Sequence, residues 1–454
     1  MSTLPRFEDL AGRRVAVWGY GREGRAALRV LAQRLPRQPV ILWCDASEAP
    51  RAREEFPGAR IDAGKPDAGA LARVDWVIKS PGISAYRPEI AEAKARGTCF
   101  TSGTALWFGE RPDARVVAVT GTKGKSTTSA LLAHLARGLG WRTALAGNIG
   151  LPLLELLDAR AELWVVELSS FQTGEAGPVD LAVFTNLYEE HLDWHGSLAR
   201  YHADKLRLAS VARAVLGDVD DPILASALRG HPQVHGFPSP DGWHLRGTTL
   251  HHGRREALHG AALPLPGAHN LRNLCAALAA LELLGGDAWA ALPSVASFRG
   301  LPHRLQVLGT RDGITWIDDS ISTTPAASRV ALESVAGKPV TLILGGYDRG
   351  LDWSGFAQWL AAHPSHAVVL QGACAERVAS VLEARGSVPR QVPDLRAAVD
   401  WAKAHTPSGG IVLLSPGAPS FDQFRDYAQR GQAFARWSGL PSSVDDGIAG
   451  LGVE

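Results

Sequence analysis

The chain has 454 residues, 46% of them hydrophobic and 20% charged, with a net charge of +1. At ~100–200 residues per domain that is an ordered globular protein of about three domains. The balanced charge gives no electrostatic reason to expect nucleic acid or an anionic membrane as the main partner. Cys44, Cys99, Cys275 and Cys374 are scattered, with no CxxC pair and no metal spacing. They read as ordinary thiols of a reducing compartment. Met1 to Arg6 has no apolar signal-peptide core, and no apolar run approaches the ~20 residues that span a bilayer. The expected location is cytoplasmic.

In chain order, Arg14 to Trp18 is a short apolar strand that enters Gly19-Tyr-Gly-Arg-Glu-Gly24 and a helix from about Arg25 to Leu35. Val40 to Asp45 is a second strand ending in an acid. This is a nucleotide-binding Rossmann unit, with Asp45 at the distance of a ribose ligand. Alone it fits NAD(P) or another nucleotide equally. A third strand, Trp76 to Ser80, ends in the turn Ser80-Pro-Gly-Ile83, at the edge where open α/β sheets bind ligands, although a plain turn explains Pro81-Gly82 as well. Gly109 to Ala114 reads as a linker.

Val116 to Val119 is a buried strand feeding Gly121-Thr-Lys-Gly-Lys-Ser-Thr127, and Ser129 to Ala136 reads as a helix. Strand, Gly-rich loop and helix form a phosphate-binding loop, although two residues separate Gly121 from Gly124-Lys125 where the general pattern has four. Amides at the helix start face phosphates, Lys125 neutralises them, and a hydroxyl from Ser126 or Thr127 reaches Mg²⁺. A Gly turn before an amphipathic helix would explain the glycines but not a Lys followed by two hydroxyls. Trp164 to Leu168 is a strand with one acid, Glu167, which is costly unless paired or coordinated. Such an acid commonly serves Mg²⁺ in phosphate-loop proteins. The strand Leu181 to Asn186 leads into a loop dense in Glu, His and Asp through His195. That loop reads as a metal or substrate site because it follows Glu167.

An Ala/Leu-rich helix runs from Asn273 to Leu284, with Asn270 and Asn273 three apart at its start. They are candidates for a base edge or for helix capping. A third unit opens near Phe298. Its strands, Ile314 to Ile317, Val340 to Leu344, Ala367 to Leu370 and Ile411 to Leu414, alternate with helices, so a third mostly parallel sheet is expected. The turns Asp318-Asp319-Ser320, Gly345 to Arg349 and Ser415 to Ser420 fall at strand ends and mark a ligand face. The tail after about Leu440 is expected to be poorly ordered.

This order of motifs resembles the Mur ligases, ATP-dependent amide-bond-forming enzymes of peptidoglycan precursor synthesis, over nearly the whole chain. The phosphate loop, Glu167-Leu-Ser-Ser-Phe-Gln172, Thr185-Asn, His191-Leu-Asp, His269-Asn-x-x-Asn273, Gly300-Leu-Pro-His-Arg304, Leu414-Ser-Pro and Ser420-x-Asp-Gln-Phe-x-x-Tyr-x-x-Arg-Gly431 carry it. The resemblance implies three domains: residues 1–110 for a UDP substrate, 111–298 for ATP and 299–454 for glutamate. Arg22, Glu23, Asp45 and Ser80 would line the uridine-diphosphate site, with Asn148 a substrate and metal neighbour. Gly121, Thr122, Lys123, Gly124, Lys125, Ser126 and Thr127 would hold ATP phosphates. Ser126, Glu167, His191 and Lys205 would hold Mg²⁺, Lys205 standing where the family carries a carbamylated lysine. Lys125, His191 and Lys205 are the implied catalytic residues. Asn270 and Asn273 would face adenine, and Arg304 and Asp319 would reach the nucleotide.

The resemblance further implies that glutamate is joined to UDP-N-acetylmuramoyl-L-alanine through an acyl phosphate. Thr323, Arg349, Ser420 and Tyr427 would face the glutamate. Those loops depart from the D-glutamate-adding pattern. Ile321 stands where that pattern has Lys, Arg349 where many members have Lys, and Tyr427 where they have Phe. Arg offers a carboxylate a planar fork that Lys does not. The changes resemble the branch that adds L-glutamate and leaves epimerisation to a separate enzyme, with D-glutamate as the alternative. Lys123 also replaces a common Asn. A folyl-polyglutamate ligase would lack the N-terminal GxGxxG unit, and an NAD-dependent oxidoreductase would leave Lys125, Glu167 and His191 idle.

Overall fold

The computed structural model describes residues 4–190, 192–265, 267–335, 337–363, 366–441 and 450–454. The chain divides into two compact units, Met1–Leu258 with Arg272–Val295 and Gly450–Glu454, and His259–Leu271 with Ala296–Ala449. Both are α/β.

In the first unit, β1 (Val15–Trp18), β2 (Val40–Cys44), β3 (Arg60–Ala63), β4 (Trp76–Lys79) and β5 (Cys99–Thr101) form a parallel sheet in the order β3-β2-β1-β4-β5. Every residue of β1 is buried, as a strand covered on both faces requires. The strand order reverses between β1 and β4. The turns that follow them, Gly19–Gly24 and Ser80–Ile83, therefore lie side by side at the carboxyl edge. Gly19 has φ 104°, and a Cβ on Gly24 would overlap the Gly19 carbonyl. These two glycines answer to a turn and to close helix–strand packing.

A second parallel sheet follows: β6 (Val116–Thr120), β7 (Thr143–Gly147), β8 (Leu163–Glu167), β9 (Val179–Phe184), β10 (Ala212–Asp218) and β11 (Val234–Phe237), ordered β11-β10-β9-β6-β8-β7. β6 lies between β9 and β8, so the phosphate loop leaves the middle of the sheet. A small antiparallel sheet, β12 (Trp243–Arg246), β13 (Thr249–His252) and β14 (Arg255–His259), comes next. The Ala/Leu-rich helix spans Ala268–Leu283, starting before the expected Asn273, so Asn270 and Asn273 both lie within it.

The second unit holds β15 (Gln306–Arg311), β16 (Ile314–Asp318), β17 (Val340–Leu344), β18 (His366–Leu370), β19 (Arg390–Gln391) and β20 (Ile411–Leu414), in the order β15-β16-β20-β17-β18-β19. Only β15 is antiparallel, an edge strand not read from the sequence. No helix among the described residues is long and apolar enough to cross a membrane.

The tail departs from expectation. Residues 442–449 lie outside the described residues, but Gly452–Val453 pairs antiparallel with β7 and closes that edge of the second sheet. Thr143 N donates to Glu454 O at 2.7 Å, and the Arg137 guanidinium donates to Thr143 O at 2.7 Å and to Gly452 O at 3.2 Å. Backbone pairing, not a hydrophobic pattern, orders this segment. Deleting Gly450–Glu454 is expected to lower the melting temperature by several degrees, by exposing the β7 edge and stranding half-buried Arg137. Thermal unfolding followed by circular dichroism checks it.

Candidate active site

The phosphate loop rises from β6, whose five residues are all buried. Gly121 (φ 144°) and Gly124 (φ 83°) turn the chain, and Gly124 caps the helix Lys125–Gly138 without a side-chain acceptor. No side-chain cap therefore competes with an anion at the start of that helix. The loop is shaped from the end of β9. Thr185 Oγ1 donates to Lys123 O at 2.6 Å. Asn186 Oδ1 accepts from Thr122 N at 3.1 Å and from Lys123 N at 2.7 Å, while Asn186 Nδ2 donates to Lys123 O at 3.0 Å. A Cβ on Gly121 would press into Thr185 Oγ1, and one on Gly124 into Asn273 Oδ1. Asn273 is thus brought against the loop, with Thr128 Oγ1 3.4 Å from its Oδ1. Lys125 Nζ donates to Thr122 O at 2.9 Å, and exposed Lys123 pairs with Glu190 at 2.6 Å.

Behind the loop, Lys205 Nζ is buried and donates to Gly121 O at 2.8 Å. Burial, then the neighbouring Lys125, holds its ammonium well below the usual lysine range, against the pull of Glu190 and Glu167. Glu167, at the end of β8, is 1% exposed. Its Oε1 accepts from Asn148 Nδ2 at 3.0 Å, whereas its buried Oε2 has no hydrogen-bond partner. A lone buried carboxylate oxygen at the end of β8, beside the strand that feeds the loop, suits a hard cation such as Mg²⁺, which keeps several waters and needs few protein ligands. Among the described residues no group of three His, Cys, Asp or Glu side chains gathers as a cage. His191 lies outside the described residues.

At the carboxyl edge of the first sheet, Ser80 Oγ lies 3.4 Å from Gly19 O, so the two turns touch. Arg22 is exposed, with Nη1 3.4 Å from Gly150 O, and Asp45 is exposed at the end of β2. Glu23 is half-buried, and its carboxyl is pushed up to about 7 by burial, with Glu175 and Glu155 adding repulsion.

In the second unit, β16, β20 and β17 are parallel neighbours, so the turns after Asp318, Leu414 and Leu344 meet at one edge. Gly417 N donates to Ser322 O at 3.0 Å, Gly345 N to Pro416 O at 2.8 Å and Tyr347 N to Pro419 O at 2.8 Å. Asp319 is buried and pushed up to about 6 by desolvation, although Ser415 Oγ donates to it at 2.7 Å and Leu305 N at 3.1 Å. Ser420 is buried, Thr323 and Tyr427 are half-buried, and Arg304 and Arg349 are exposed. Asn270 is buried at the start of its helix.

The Mur ligase middle domain matches residues 119–281, and the Mur ligase glutamate ligase domain matches residues 303–417. A UDP-N-acetylmuramoyl-L-alanine–L-glutamate ligase of Xanthomonas euvesicatoria pv. vesicatoria (strain 85-10) is 49% identical, over 99% of this chain and all of that one. The chain belongs to the Mur ligase family. Among solved structures, a UDP-N-acetylmuramate-alanine ligase of Thermotoga maritima aligns with TM-score 0.61 at 21% identity, covering 93% of this chain and 98% of that one. A Mycobacterium tuberculosis folylpolyglutamate synthase complexed with ADP aligns at 0.58 and 17%, covering 75% and 94%. These two show the shared fold.

Two further side chains of this Mur ligase, His195 and Arg430, are buried beside the expected site residues and carry no role in the sequence reading. His195 sits between Asp204 and Ser170, and Arg430 in the second unit donates to Ser320 Oγ at 3.0 Å and Ser320 O at 2.8 Å. Arg430 Nη1 is buried without a partner, and burial pulls the guanidinium down to about 10. A histidine four residues past His191 and an arginine in the last motif were the available signals.

Glu23 generates a pH prediction. Its folded pKa is raised above the ordinary value of 4.5, so the folded state holds the extra proton and stability falls as pH rises from about 4.5 to about 7. Glu23→Gln removes that penalty. Its melting temperature is expected to exceed wild type at pH 8, with the gap shrinking toward pH 4.5, measured by calorimetry across that range.

Proposed function

We propose that this Mur ligase joins L-glutamate to the terminal carboxylate of UDP-N-acetylmuramoyl-L-alanine at the expense of ATP, a step of peptidoglycan precursor synthesis in the cytoplasm. The observation that carries the reading is the 49% identity, end to end, to a ligase named for L-glutamate. The departures at Ile321, Arg349 and Tyr427, all in the proposed glutamate loops, support the same enantiomer. The product of such a step requires a separate epimerase.

The proposed division of labour follows the three sheets. Arg22, Glu23, Asp45 and Ser80 hold the uridine diphosphate at the switch point of the first, in residues 1–110. Residues 111–298 take ATP. The helix amides after Gly124 and the Lys125 ammonium receive its phosphates, and Asn270 and Asn273 its adenine. Ser126, Thr127, Glu167 and, once carbamylated, Lys205 would hold Mg²⁺, with Asn148 orienting Glu167. A neutral amine is the form that takes up CO₂, and a buried lysine with a depressed pKa supplies it. Residues 299–454 present Arg304 and Asp319 to the nucleotide, and Thr323, Arg349, Ser420 and Tyr427 to glutamate.

ATP supplies the phosphoryl group that turns the carboxylate into an acyl phosphate, and Mg²⁺ would neutralise the charge that accumulates when two anions meet. Lys125 shares that task from the loop. The braced loop backbone lets the helix amides after Gly124 face the phosphates without reorganising. The glutamate amine then displaces phosphate from the activated carbonyl. The Arg349 guanidinium is suited to a bidentate grip on a glutamate carboxylate.

Purified protein incubated with UDP-N-acetylmuramoyl-L-alanine, ATP and either enantiomer tests the reading. Phosphate release and a product one glutamate heavier are expected with L-glutamate, and turnover confined to D-glutamate would sink it. Lys125→Ala is expected to lower kcat at least about 10²-fold, as removal of a transition-state donor does. Steady-state phosphate release measures that loss, with circular dichroism to verify folding.

A further inference from the structure

Asp204, His195 and Tyr86 have no part in the reaction set out above, yet they form one hydrogen-bonded chain. Asp204 is 4% exposed, and the Tyr86 hydroxyl lies 2.6 and 2.7 Å from its two oxygens. His195, fully buried, places Nδ1 2.8 Å from Asp204 Oδ2 and Nε2 2.9 Å from Ser170 Oγ. With Nδ1–H given to the carboxylate, Nε2 is left as acceptor and Ser170 donates. Tyr86 is the outermost member, its ring held edge-on by Trp194 and covered by the Arg200 guanidinium at 4.4 Å.

The places this chain touches give it meaning. Tyr86 stands a few residues beyond the Ser80–Ile83 turn of the first sheet. That stretch is fastened to the segment bearing His195, because Trp194 Nε1 donates to Pro81 O at 3.1 Å and Ser84 Oγ to Trp194 O at 2.7 Å. Ser170 lies three residues past Glu167. Asp204 immediately precedes Lys205, and its carbonyl accepts from Thr173 Oγ1 at 2.8 Å. The chain thus runs behind both segments that present the proposed metal-holding groups and ends in the region proposed for the UDP substrate. A buried aspartate needs donors, but it does not need one brought in by a tyrosine 118 positions away.

We propose that Tyr86 and His195 are positioning residues which, through Asp204, fix how the Glu167 and Lys205 segments present their groups to the divalent cation of the nucleotide site. This rests on the reading of Glu167 and Lys205 as the metal-holding pair. Removing a group that orients metal ligands from outside characteristically weakens metal binding by about 10–100-fold.

The test uses the whole enzyme with ADP and Mn²⁺, with Mn²⁺ binding followed by electron paramagnetic resonance. Tyr86→Phe keeps the ring against Trp194 and removes only the hydroxyl. The expected results are Mn²⁺ affinity and kcat both about tenfold lower, with the KM for glutamate and for the UDP substrate and the melting temperature near wild type. His195→Asn, which keeps a donor near Nδ1, is expected to retain more Mn²⁺ affinity than His195→Phe. Unchanged Mn²⁺ affinity in Tyr86→Phe overturns the proposal. So does a loss matched by a collapse in melting temperature and in every KM, which is what a mere prop would give. A wild-type protein that binds Mn²⁺ and ADP but ligates no glutamate would sink the functional reading while leaving this one readable.

Discussion

A loop that grips phosphate must leave its amides unspent, and a loop with unspent amides has little of its own to hold its shape. The rest of the first unit answers that conflict. Thr185 and Asn186 take the backbone of Thr122 and Lys123, Lys205 takes the carbonyl of Gly121, and no side chain caps the helix start at Gly124. Thr185 and Asn186 follow the end of β9, the strand beside β6, so the sheet's register itself helps set the loop. The glycines are required twice over, by their positive φ and by the side chains packed where a Cβ would stand.

The same logic of placement at strand ends governs the other two sheets. In the first, reversal of strand order between β1 and β4 sets two turns together. In the second unit three neighbouring strands deliver three turns that hydrogen-bond to one another. Buried charge follows these edges. Glu23, Lys205, Asp319 and Arg430 all have protonation shifted by desolvation, and all lie at or beside a carboxyl edge. Such shifts concentrate where a fold has something to bind.

What could be read in the sequence was whatever a single segment declares. Gly121 to Thr127 announces itself through glycines, a cation and hydroxyls in one run, and Glu167 through an acid in an apolar strand. The three large sheets follow from alternation of strand and helix, whereas the small sheet β12–β14 does not. Relations between distant segments stayed hidden. Nothing near Asn186 says that it braces Lys123, and nothing near Tyr86 says that its hydroxyl reaches Asp204. β15 is antiparallel because it hairpins onto β16, and the Asn270–Asn273 helix begins earlier than its Ala/Leu run indicated. The pairing of Gly452–Val453 is invisible in principle, since two residues carry no periodicity.

That pairing has a consequence for the course of the chain. Gly450–Glu454 belong to the first unit, although residues 296–449 just before them belong to the second. A dye or tag attached at Glu454 would report on the edge of the second sheet, beside Thr143, although the unit just before it in sequence is the other one.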